Sequence, residues 1–510
     1  MFVLVPCILE GKTEKATSEK WMIWATVLGL WIPATLELAF ASVDITPPEP
    51  LPLGGYTERG DKVMKGVQDR LTARALFLRQ GEIEVVFISA EMLTVPQSLS
   101  RAVEKKIFPK GGGHLFMSAT HTHCAPDSQL LNERMTFKIP GIASYNPFWL
   151  QWYAERIAEV AKARFHYQTI KEIRLLQTKA SLNHPRGFSR KVDSRVTQVR
   201  FVLENGEYVE LLHYSAHPTV YGPDMMKTAG DFPGEWLKRG EKRLFFNGAM
   251  GDVAPAIPDG LAGKAGAKAM ALALERAVKE AENHNPKRGT LILSPLLRFI
   301  RLPIALPSPV PHPEFAGRFS APPLLARQLI QAFAPREASL WVVQVGPLVF
   351  LGVPGEPTAE VGQELETALR KRGVLFPLVV SFVNDWIGYI VSEPNYSAGG
   401  YEASLSFYGA GLADVLIQAL GFWKDGRERG ALTIPESGCS PLPSGVIASW
   451  VGSLVGFWRR TVVGALPALS PRGDARERRE MTCSQAGGQG GSECRTPLAF
   501  RTVRGGGICP

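Results

Sequence analysis

The chain has 510 residues, 45% of them hydrophobic and 21% charged, with a formal net charge of +9 at neutral pH. This composition excludes a low-hydrophobicity disordered chain and can build a core for one large domain or for two to three smaller ones. The charge does not point to nucleic acid as a partner. About half of the excess lies after residue 420, and its basic residues are scattered rather than spaced along a recognition helix.

In chain order, residues 21–34 form an apolar run of signal-peptide length, and Ala39-Phe40-Ala41 has the spacing of a signal-peptidase site. Lys12, Lys15 and Lys20 are offset by Glu10, Glu14 and Glu19, so the positive n-region is missing and residues 39–43 read equally well as a first strand. Localisation therefore stays open between a secreted or periplasmic protein and a cytoplasmic one. Apolar β-rich runs at 84–89, 196–203 and 338–351 alternate with helix-like stretches at 149–165 and 265–283, which predicts an α/β domain. Trp149, Trp152, Tyr153, Arg156, Ile157 and Val160 approximate a helical stripe, the pattern of a core-facing helix rather than a lipid-facing one.

The segment Ser118-Ala119-Thr120-His121-Thr122-His123 follows an apolar run and precedes a turn at Pro126-Asp127. At an extended strand end, period two would point both imidazoles the same way, the simplest start of a zinc site, although hydrogen-bonded structural histidines give the same pattern. Cys124 should point to the opposite strand face, away from both rings. Among the nine histidines the best partner is His217, where an apolar run ends at Pro218; His213 reads as a packed strand residue. In Phe246-Asn247-Gly248-Ala249-Met250-Gly251-Asp252-Val253-Ala254-Pro255, a strand passes into a glycine-rich turn with one acid, which lets backbone amides approach a ligand or lets Asp252 cap its own backbone. Glu356 closes a strand predicted over 341–353 and opens a helix predicted over 358–371, with Gly373 as its stop; it is a ligand candidate or a helix-terminus carboxylate.

After about residue 424 the periodicity is lost. The chain fills with Gly, Pro, Ser and Arg and carries four of its six cysteines, at Cys439, Cys483, Cys494 and Cys509, with no CxxC pair. The apolar piece at 447–458 is too short to span a bilayer.

Taken together, the segments resemble the catalytic domain of the neutral/alkaline (non-lysosomal) ceramidase family. The resemblance begins at Ala41-Ser42-Val43-Asp44-Ile45-Thr46-Pro47-Pro48, Leu53-Gly54-Gly55-Tyr56 and residues 66–75, and continues through the THTH segment and Ala216-His217-Pro218. It then takes in residues 229–235, the 247–255 loop, Gly352-Val353-Pro354-Gly355-Glu356-Pro357-Thr358, Val383-Asn384-Asp385-Trp386-Ile387-Gly388-Tyr389 and Gly400-Tyr401-Glu402-Ala403. Coverage is roughly 36–425. The implied organisation is a leader at 1–35, a single large α/β zinc hydrolase domain at 36–425, and a low-complexity tail at 426–510 with no C-terminal β-sandwich evident.

The resemblance implies Zn2+ held by His121, His217, Glu356 and Tyr389, with His123 beside the scissile carbonyl; as catalytic residues, His123 would shuttle the proton or stabilise the tetrahedral oxyanion, and Asp252 would orient the water or a ligand histidine. Two departures stand out. The family's GDxSP loop has a serine implicated in catalysis where this chain has Ala254, and THTHSGP reads His121-Thr122-His123-Cys124-Ala125-Pro126 here. Alanine offers no nucleophile and no hydrogen bond to an oxyanion, which leaves attack by a zinc-activated water as the implied chemistry. The expected substrate is ceramide or a related acylated compound, with peripheral contact to a membrane surface. The alternatives are a zinc amidase or esterase on a non-ceramide substrate, and an inactive metal- or lipid-binding relative.

Overall fold

A computed structural model describes residues 34–422 except 188–189, 285–289, 293–294 and 319–320. Nearly all of the expected leader, and the whole of the expected tail with its four cysteines and the 447–458 piece, lie outside the described residues.

The first strands are β1 (Glu37–Asp44), β2 (Thr72–Gln80), β3 (Ile83–Ala90), β4 (His114–Ala119), β5 (Gln168–Lys179), β6 (Asn183–Pro185), β7 (Arg195–Leu203), β8 (Tyr208–Tyr214) and β9 (Arg243–Asn247). They are followed by β10 (Val253–Pro255), β11 (Thr290–Ile292), β12 (Leu297–Ala305), β13 (Glu337–Val345), β14 (Leu348–Gly352), β15 (Glu356–Pro357), β16 (Phe376–Val380) and β17 (Tyr389–Ile390). The larger sheet runs β4-β3-β2-β1-β5-β7-β8-β9, with β11 added on β5, and the smaller runs β12-β13-β14-β16. Parallel pairing occurs at β3–β4, β8–β9 and β14–β16.

The strands are apolar on both faces because both faces are covered. In β2, Ala73, Ala75 and Phe77 pack toward helices Gln97–Ile107 and Pro147–Ala158, whereas Leu76 and Leu78 face the second sheet. Phe87, Phe116 and Phe246 of the larger sheet meet Phe350 of the smaller one in the layer between the sheets. Helices Asp231–Leu237 and Gly263–His284 cover the outer face of β7 to β9, and helices Pro323–Phe333, Ala359–Arg370 and Leu412–Ala419 cover the smaller sheet. The expected α/β class is therefore realised as four layers, helix, sheet, sheet, helix.

The predicted helix stripe holds in its buried part. Trp149, Tyr153, Ile157 and Val160 are core, while Trp152 lies at the rim and Arg156 is exposed. One expectation fails. The run at 341–353 is a hairpin, because the chain reverses at Gly346-Pro347 between β13 and β14, and apolar residues on both sides hide the turn from a hydropathy reading. Residues 39–41, considered as a processing site, lie within β1 and pair with β2.

Candidate metal centre

The site forms where segments leave the carboxyl ends of β4, β8, β9, β14 and β16, the end at which α/β sheets ordinarily present ligands. β4 stops at Ala119, and His121 takes a left-handed φ of 70°. The two imidazoles are therefore not delivered by alternation along a strand, as period two suggested. The backbone turns at His121, and the rings meet edge to face with Nε2 of His121 3.2 Å from Nε2 of His123. His217 follows β8, its backbone N–H donating to the Val253 carbonyl at 3.0 Å. Glu356 opens β15, which pairs in parallel with β17 so that Glu356 lies in register with Tyr389.

Each ring is fixed in one tautomer. Nδ1 lies 2.7 Å from the Leu93 carbonyl in His121, 2.8 Å from the Met250 carbonyl in His217, and 3.1 Å from the Gly55 carbonyl in His123. A carbonyl oxygen only accepts, so each Nδ1 carries the proton and each Nε2 is left as an acceptor, that of His217 facing the Arg186 guanidinium at 3.1 Å. The remaining acceptor is Glu356. Its Oε1 takes the Trp386 indole N–H at 2.8 Å, but its buried Oε2 has no hydrogen bond and lies 3.5 Å from His217 Nε2 and 3.7 Å from His121 Nε2. The Tyr389 hydroxyl is 3.4 Å from His217 Nε2.

This donor set fits a metal ion. Ligand atoms about 2.05 Å from a tetrahedral zinc stand about 3.4 Å from one another, and the separations here bracket that edge. The donors of His121, His123 and His217 all lie within 4.8 Å of one another, so His123 is within reach of the same centre.

Electrostatics point the same way. His121, His123, His217, Glu356 and Tyr389 are each at most 3% exposed. Burial and the nearby Arg186 lower the His217 pKa to about 3, and burial together with the other imidazoles and two guanidiniums pushes His123 well below its ordinary value. Burial raises Glu356, the Trp386 N–H lowers it, and the His121 and His217 rings hold it below the usual carboxylate range when they carry charge. Tyr389, buried and facing that carboxylate, is raised well above a phenol's usual value despite the Arg186 guanidinium beside its hydroxyl.

Among the other candidates, His213 is the packed strand residue expected, its Nε2 2.7 Å from the Val379 carbonyl. Cys124 lies in a different core from the rings, and burial next to Asp231 raises its thiol to about 12, so it is no nucleophile. Asp252 reaches beyond its own turn: its Oδ1 accepts the N–H of Ala359 at 2.8 Å.

Two arginines escaped the sequence reading. Arg186, just beyond β6, pairs with Glu402 at 2.9 Å and places Nη2 2.9 Å from the Gly251 carbonyl and 3.1 Å from both His217 Nε2 and the Tyr389 hydroxyl. Arg59, 3% exposed, donates to the carbonyls of Gly54, His123, Pro223 and Met225. Neither has a spacing signal, because each acts alone and stands in a locally polar stretch of the sequence.

The chain matches no protein-family model and no curated protein in sequence. Its fold is that of the neutral ceramidases. It aligns with the crystal structure of neutral ceramidase from Pseudomonas aeruginosa at a TM-score of 0.63 and 16% identity, over 76% of this chain and 73% of that one. With a ceramidase complexed with C2 the TM-score is 0.64 at 15% identity, over 76% and 74% of the two chains.

Proposed function

We propose that the protein is a zinc-dependent amidohydrolase that cleaves the N-acyl amide of ceramide or of a related acylated compound. One observation carries this reading: the Nε2 atoms of His121 and His217 converge in a buried site on a Glu356 oxygen that has no hydrogen bond, each ring having committed its own proton to a backbone carbonyl. His121, His217 and Glu356 would hold the metal, with Tyr389 as the fourth donor. When bound, zinc supplies Lewis-acid polarisation of the amide carbonyl and acidification of water.

The chain's own residues account for the proton and the charge. His123, neutral and oriented by the Gly55 carbonyl, accepts through Nε2 the proton lost by water as it adds to the carbonyl carbon. The same proton then passes to the amide nitrogen as the C–N bond breaks, giving a fatty acid and an amine. Arg186 offers a fixed cation beside the donors, where charge develops on the carbonyl oxygen. Ala254 excludes a covalent route through that position, which favours a second reading in which the acylated substrate is not ceramide.

The test is fatty-acid release from ceramide by the full chain of known zinc content, beside Ala254→Ser. Release that stops with a chelator and returns with zinc supports the reading. Activity only in Ala254→Ser would move the natural chain to another acyl substrate, and zinc-bound protein inactive on ceramide and on simpler N-acyl amides would remove the hydrolase assignment.

A further inference from the structure

The 247–255 loop touches the segments that supply His217 and Glu356. The Met250 carbonyl accepts from Nδ1 of His217, and the Val253 carbonyl accepts from its backbone N–H. The Gly251 N–H donates to the Pro357 carbonyl at 2.9 Å, and Gly251 lies so close to the Glu356 segment that a Cβ there would meet the Glu356 carbonyl at 2.6 Å. Asp252 completes the set. Its Oδ1 accepts the N–H of Ala359, the first residue of helix Ala359–Arg370, and Thr358 at the cap position makes no side-chain cap bond of its own. The cap is therefore supplied from 107 residues away in the chain, three residues beyond Glu356. Asp252 is 3% exposed, and its backbone carbonyl accepts the Arg186 N–H at 2.7 Å.

We propose that Asp252 is a positioning residue: by capping helix Ala359–Arg370 it fixes the Glu356 carboxylate against His217, and it transfers no proton in the reaction. The inference rests on the reading that Glu356 holds the metal. The role needs an acceptor oxygen at Oδ1 rather than a titrating carboxyl, so asparagine can fill it and alanine cannot.

Zinc affinity, measured by competition with a chromophoric chelator, and amide hydrogen exchange of residues 359–362 are compared in the full chain, Asp252→Asn and Asp252→Ala. The alanine variant should lose about 10- to 100-fold in zinc affinity, the range for residues that orient ligands from behind, and lose protection at Ala359. The asparagine variant should keep zinc affinity within about threefold and keep the protection. Unchanged affinity and protection in Asp252→Ala would overturn the proposal. So would an Asp252→Asn variant that binds zinc normally yet loses turnover about 100-fold, since that pattern assigns a proton to Asp252. Exchange needs no metal. If the wild type bound no zinc while the Ala359 cap behaved as expected, the metal reading of Glu356 would fail and the cap would stand as structural only.

Discussion

His121 and His123 bring their Nε2 atoms to 3.2 Å although neither nitrogen has a hydrogen to share, because each ring commits its Nδ1–H to a backbone carbonyl. With Glu356 Oε2 also lacking a donor, acceptors crowd a buried site in which the Arg186 guanidinium faces His217, and a bound metal ion would relieve the cost of the rest. The fold pays this cost through its backbone: the carbonyls of Leu93, Met250 and Gly55 set the tautomers before any ligand arrives.

Zinc should therefore stabilise the folded state. At free zinc about 100 times the dissociation constant the gain is about 2.7 kcal/mol, visible as a rise in Tm. His217→Ala should abolish that rise, while a change such as Lys227→Ala, far from the donors in chemistry and exposed, should keep it.

Gly55 has a φ of +89°, and a Cβ there would lie 2.3 Å from Nδ1 of His123. Gly55→Ala should push the His123 ring off its carbonyl, with turnover reduced at least about tenfold and the zinc content retained. Equal loss of zinc and turnover would mean that His123 belongs with the ligands rather than with the proton.

Arg59 ties together three stretches of backbone through carbonyls alone, with its guanidinium 4.7 Å from the centre of the Tyr56 ring. Arg59→Met keeps volume but strands those acceptors, and should cost about 3 kcal/mol in urea unfolding. Val63→Ala, at a site 47% exposed, should cost under about 0.5 kcal/mol.

Acid should unfold the protein partly through His213. Burial lowers its folded pKa to about 4, below the ordinary 6.5, so the unfolded chain binds the extra proton between those values. Its contribution is intact above pH 6.5 and is lost as pH falls toward 4, amounting to about 3 kcal/mol. His213→Gln, which retains a donor for the Val379 carbonyl, should show a shallower fall in stability between pH 7 and pH 4 than the wild type.

How much of this the sequence disclosed follows from which interactions are local. The convergence of His121, His217 and Glu356 is legible because His121 stands in an HxH pair after an apolar run, His217 precedes Pro218 and Glu356 follows Gly355, and strand ends are where side chains converge. The hairpin at Gly346-Pro347 was not, since buried strands and a buried turn share one hydropathy. The tautomer-setting carbonyls carry no side-chain signature, and Arg186 reaches His217 across 31 residues with nothing in its spacing to announce it. Asp252 stands out in the sequence as the acid of a glycine-rich turn, but its partner does not. Its contact is the amide of Ala359, which no local rule pairs with it.

The most direct test of the account is a zinc count by elemental analysis on the full-length protein, with His121→Ala and Glu356→Gln prepared alongside. One tightly held zinc per chain, reduced at least about tenfold in occupancy in both variants, is the predicted result. A folded wild type that takes up no zinc at micromolar free metal, or variants that hold it as well as the wild type, would contradict the metal centre and the hydrolase built on it.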